Sequence, residues 1–117
     1  MLPTDENTED DTHLEATALF DSGNAYLFLG QDEQAIQDFD EAIRLDPQYS
    51  DAYYNRGAAY DNLGQYDQAI QDFDEAIRLD PQDTDAYYNR SLAYEALGKT
   101  IEAERDFAKA KELGYDP

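Results

Sequence analysis

The chain has no cysteine and no tryptophan, one histidine, and only eight basic side chains against 28 acidic ones. Without cysteine there is neither a disulfide framework nor a thiolate metal site. A formal charge of −20 argues against direct binding to phosphate backbones and anionic lipid surfaces. It favours cationic partners, or it serves solubility alone. No apolar run approaches the ~20 residues that a membrane span needs. The opening MLPTDENTEDD has no basic region followed by an apolar one, so no secretory signal is read there and the cytoplasm is the simplest expected address. A length of 117 residues suits one small domain with a modest core.

What the chain does have is repetition. QAIQDFDEAIRLDPQ stands at 34–48 and again, unchanged, at 68–82; where a third copy is due, 102–116 reads EAERDFAKAKELGYD. The step of 34 is kept by Gly30, Gly64 and Gly98, by Tyr26, Tyr60 and Tyr94, by Phe39, Phe73 and Phe107, and by Pro47 and Pro81, with Pro117 two residues past the next step. Three units therefore fill 16–49, 50–83 and 84–117. A period of this size is the mark of stacked supersecondary units.

Each unit predicts two helices. Tyr53, Gly57, Tyr60 and Leu63 form one helical stripe, and Gly64 lets the chain leave it. Ala69, Ile70, Phe73, Ala76, Ile77 and Leu79 form a second stripe, which the Asp80-Pro81 pair ends. Two helices on a short connection must run antiparallel. Gly57 is expected to face the second helix, where its missing side chain allows close approach.

Tyr53, Gly57 and Tyr60, then Ala69 and Phe73, then Pro81 resemble the tetratricopeptide repeat (TPR) family, whose first helix carries an aromatic, Gly and Tyr and whose later part carries Ala, Phe and Pro. Gly23, Tyr26, Ala35, Phe39 and Pro47 match in unit one, and Tyr94, Ala103 and Phe107 in unit three, with Pro117 two residues past its column. The likeness covers 102 of the 117 residues. It implies an all-α solenoid of three antiparallel hairpins forming a right-handed superhelical segment. The chain departs from the pattern in three places. Leu19, Tyr53 and Tyr87 stand for the usual Trp, Ser22, Arg56 and Arg90 for the usual Leu beside Gly, and Ser91 for the glycine of unit three. The last is expected to soften the fit between that unit's helices.

A repeat buries its apolar face only against its neighbours. Ile36 and Ile43, then Ile70 and Ile77, serve that role, but Glu104 and Lys111 hold the same columns in unit three. Charge there would be costly beneath a fourth unit, so the last helix is expected to present a watered outer face that ends the array. Ile101 and Leu113 are expected to stay partly exposed there, so end-to-end association of copies remains open. Residues 1–12 read as an acidic, flexible leader ahead of a repeat domain at 13–117. Thr12 and Glu15 fit a capping box that starts the first helix near His13.

No catalytic set is present and no cofactor or metal is expected. The lone His13 reads as a surface residue. The acids of DFDE at 38–41 and 72–75 read as a solvated helix face, because neighbours on a helix lie three or four apart. The resemblance instead implies a binding groove along the first helices. Its candidate residues here are Phe20, Asn24 and Phe28; Asp51, Tyr54, Asn55 and Ala58; and Asp85, Tyr88, Asn89 and Leu92. Phe20, Tyr54 and Tyr88 supply one aromatic per unit, either to a ligand or to packing between first helices. The asparagines suit a peptide backbone, or pair locally. Asp51, Asp61, Asp85 and Glu95 make the groove acidic. Relatives that clamp acidic peptide ends use cations where this chain has Phe20, Asp85 and Asn89, so a basic, partly apolar peptide is expected. The alternative is a self-associating assembly module, using its repeat ends or the apolar pair Leu27 and Phe28, which the leader could also cover.

Overall fold

The computed structural model describes residues 8–116 of the protein. Six helices follow one another: α1 (Thr8–Phe28), α2 (Asp32–Leu45), α3 (Ser50–Asn62), α4 (Tyr66–Leu79), α5 (Thr84–Ala96) and α6 (Thr100–Glu112). Consecutive pairs form hairpins, α1 with α2, α3 with α4 and α5 with α6. Each later hairpin stacks on the one before it, α3 packing on α2 and α5 on α4, while α3 also touches α1 and α5. There is no strand among the described residues.

Turn chemistry sets the hairpins. Gly30, Gly64 and Gly98 follow the first helix of each unit with φ of +76°, +75° and +75°, a backbone region that costs glycine nothing. The Gln65 N–H then donates to the Tyr60 carbonyl at 2.9 Å, closing the helix end by the six-to-one pattern of a Schellman motif. At the second turn of each unit, Tyr53 and Tyr87 donate from their hydroxyls to the Pro47 and Pro81 carbonyls at 3.0 and 3.2 Å. The tyrosines in the tryptophan column thus tie each new unit to the linker before it.

The core is built from small residues. Ala16, Ala35, Ala42, Ala52, Ala59, Ala69, Ala76, Ala86, Ala93 and Ala110 are fully buried, and Phe39 and Phe73 are the large side chains sealed among them. Alanine at the contact rows lets helix axes approach closely, so one phenyl ring fills each of the first two hairpins.

Three readings change. The first helix begins at Thr8 and not near His13, so Thr12 and Glu15 lie within it and not at its start. The rest of the leader, residues 1–7, lies outside the described residues. Second, the DFDE acids are not simply a solvated face. Asp72 is buried, as is Asp106 in the same column of unit three, and each is gripped by two nitrogens of an arginine sixteen residues earlier, Arg56 at 2.7 and 2.9 Å and Arg90 at 2.7 Å. Third, Leu27 and Phe28 do not act as a pair: Leu27 is half-buried, whereas Phe28 is 91% exposed.

The arginines do more than pair within a unit. Arg56 also donates to Asp40 of the preceding hairpin at 2.8 Å, and Arg90 to Asp74 at 2.7 Å. Each clamp therefore joins three helices, and the two together run from α2 to α6. Burial alone would lower the Arg56 pKa, but the hydrogen bonds and charges of Asp72 and Asp40 override it and raise it. The ladder closes at its two ends with uncharged residues. Ser22 occupies the arginine column of unit one and donates to Asp38 at 2.6 Å, and Ala108 occupies the column of Asp40 and Asp74 in unit three.

Candidate peptide-binding face

The helices α1, α3 and α5 carry the candidate residues, one set per unit. Phe20, Tyr54 and Tyr88 are half-buried. Their rings lean on the second-helix phenylalanines of their own units, with centroids 6.0, 5.7 and 6.3 Å apart for Phe20–Phe39, Tyr54–Phe73 and Tyr88–Phe107. The second helices thus brace the rungs from behind. Two further aromatics join them. Tyr49 lies 4.9 Å from Phe20, and Tyr115 stacks on Tyr88 at 4.3 Å with 16° between planes. Sequence columns did not nominate either, since Tyr49 shares its column with Asp83 and Tyr115 shares its column with Pro47 and Pro81.

The asparagines pair within the array. Asn55 donates from Nδ2 to Asn24 Oδ1 at 2.5 Å, linking α3 to α1. Asn89 donates to the Tyr54 hydroxyl, linking α5 to α3. Each of the three keeps further donor or acceptor capacity after these bonds. They hold neighbouring first helices in register, and in doing so they fix the Tyr54 ring.

Around the rungs the electrostatics are of one sign. Asp51, Asp85 and Glu95 are exposed and Asp61 is half-buried. Burial raises the Asp61 pKa above its ordinary 3.8. Burial does the same to Asp83, whose carboxylate caps α5 by accepting the Ala86 N–H at 3.1 Å. Burial together with the negative charges of Asp85 and Asp83 lifts Tyr54 to about 12. Ala58 is half-buried between the rungs, Leu92 is 41% exposed, and Phe28 projects at the far end of α1. Among the described residues no group of three or more His, Asp or Glu side chains is placed to hold a metal ion. None of the described helices is long and apolar enough to cross a membrane.

Three tetratricopeptide repeat profiles match the chain, over residues 50–83, 23–64 and 73–105. The chain belongs to the tetratricopeptide repeat family. TPR domains are interaction modules, not enzymes. Among solved structures, the crystal structure of MamA is 36% identical with a TM-score of 0.83, over 86% of this chain and 59% of that one. The chain thus spans somewhat over half of that protein's length. The first TPR of Spaghetti (RPAP3), bound to the HSP90 peptide SRMEEVD, is 32% identical with a TM-score of 0.84, over 86% of this chain and 80% of that one. The Arabidopsis OM64 TPR domain is 32% identical with a TM-score of 0.86, over 88% and 85%. No curated protein matches.

Proposed function

We propose that this TPR domain is a scaffold whose first-helix face binds an extended peptide that is basic and partly apolar. One observation carries the reading: three braced aromatic rings, one per unit, lie beside the exposed carboxylates of Asp51 and Asp85. Aromatic faces attract lysine and arginine as well as apolar side chains, and a carboxylate-lined groove draws cations in. A TPR relative holds the acidic peptide SRMEEVD, but an acidic peptide would here meet charge of its own sign over a Debye length of ~8 Å at physiological salt. Asn24, Asn55 and Asn89 would offer their remaining amide groups to the peptide backbone. Phe28 and Leu92 would supply apolar contacts at the two ends. A cytoplasmic setting belongs to the same proposal.

The test is a titration by fluorescence anisotropy at physiological salt, comparing a Lys/Arg- and Leu-containing peptide with SRMEEVD. Binding of the basic peptide is expected, with about tenfold weakening in the surface double variant Asp51→Asn, Asp85→Asn. Equal binding by this variant, or preference for SRMEEVD, would remove the proposal.

A further inference from the structure

The outer face of the third hairpin differs from those of the first two. On α6 the side turned inward carries Ala103, Asp106 and Ala110, all buried. The opposite side carries Ile101, Glu104, Ala108 and Lys111, all exposed. Ile101 is 69% exposed, and Phe107 at the flank of this stripe is 37% exposed although its counterparts Phe39 and Phe73 are sealed. Between α5 and α6 the same face opens into a cavity of about 490 Å³, with Tyr88, Leu92, Glu104 and Phe107 among its walls. In the first two hairpins the equivalent face is covered by the next unit's first helix.

A further TPR unit stacked in the same manner would bury Glu104 without a partner, which is costly. A second copy turned by a two-fold axis would not. Glu104 and Lys111 are opposite in sign and seven residues apart, about 10 Å along the helix. If α6 packs antiparallel on α6 of another copy, with the axis between Phe107 and Ala108, Glu104 of each chain lies opposite Lys111 of the other. Ala108 then allows close approach at the axis, and Ile101 and Phe107 are covered. This part of the chain is also where two highly acidic molecules repel least. Unit three has seven acids and five bases, against seven and one in unit one and eight and two in unit two. We infer that the exposed α6 face, through Glu104, Ala108 and Lys111, is the interface of a symmetric homodimer. Isologous pairing of this kind is the commonest closed arrangement of soluble chains.

Sedimentation equilibrium at physiological salt reads the result. The wild-type chain is expected to form dimers and to stop there. Glu104→Lys and Lys111→Glu, made singly, each set like charges opposite one another and are expected to weaken the dimer about tenfold or more. Mixing the two single variants restores both opposite-charge pairs, so a heterodimer should form; the double exchange in one chain should recover the homodimer. Both side chains are exposed, so folding is expected to survive, as circular dichroism would verify. A wild-type chain that stays monomeric at high concentration, oligomers that grow beyond two, or variants that neither dissociate nor recover on mixing would each overturn the inference. The groove proposal is tested at Asp51 and Asp85 on α3 and α5, and the dimer at Glu104 and Lys111 on α6, so the two proposals fail separately.

Discussion

Gly57 is set against the ring of Phe73: a methyl group at residue 57 would lie 2.8 Å from Phe73 Cε1. Gly23 stands in the same relation to Phe39, at 2.5 Å. Where the column holds Ser91 instead, the corresponding Phe107 is 37% exposed, against 1% for Phe73, in a hairpin whose outer face no following helix covers among the described residues. Gly57→Ala is therefore expected to destabilise the domain by about 1–3 kcal/mol through overpacking, despite alanine's better helix propensity. Urea unfolding would measure it, and a neutral or stabilised variant would refute the steric account.

The arginine clamps give a second expectation. Arg90 and Asp106 are 18% and 6% exposed at the side chain, so Arg90→Ala would strand a buried carboxylate at a cost of about 3–5 kcal/mol. Replacing both, Arg90→Met with Asp106→Leu, should recover most of that loss. The exposed Arg78–Glu75 pair is expected to contribute nothing measurable on removal of Arg78. If Arg90→Ala and Arg78→Ala unfold at the same denaturant concentration, the clamps have no special role.

Mild acid should stabilise the protein. Burial raises Asp61 and Asp83 above the ordinary 3.8, so the folded state takes up protons on these groups before the unfolded chain does. Their contribution grows as pH falls from neutrality through the raised values, and it is complete below 3.8. Relief of the overall negative charge acts in the same direction. The melting temperature should rise on moving from pH 7 toward 5, with a shallower rise in Asp61→Asn. A melting temperature that falls over that range would contradict the burial argument.

At the alkaline end Tyr54 works with the opposite outcome. Its folded-state value is about 12, against an ordinary 10, so the unfolded chain ionises first. The stabilisation is intact below pH 10 and is lost as pH rises through 12. Phenolate absorbance should show a late-titrating tyrosine that is missing from Tyr54→Phe. Unchanged titration curves would mean that the ring is more open to water than its neighbours Asp85 and Asn89 allow.

Sequence alone determined the architecture, because everything that specifies it is short-range. The 34-residue step, the glycines at the hairpin turns and the prolines after α2 and α4 act within one or two turns of chain, and so they are legible in a linear reading. The exposed positions of Glu104 and Lys111 follow from the same columns. Tertiary structure decided which member of each look-alike set is buried. Asp72 and Asp74 are two residues apart in one motif, yet one is enclosed and one is exposed, because their arginines come from different units and only stacking brings them within reach. Asn24, Asn55 and Asn89 could equally have served a ligand or each other until α1, α3 and α5 were set side by side. Burial, unlike periodicity, depends on what arrives from elsewhere in the chain.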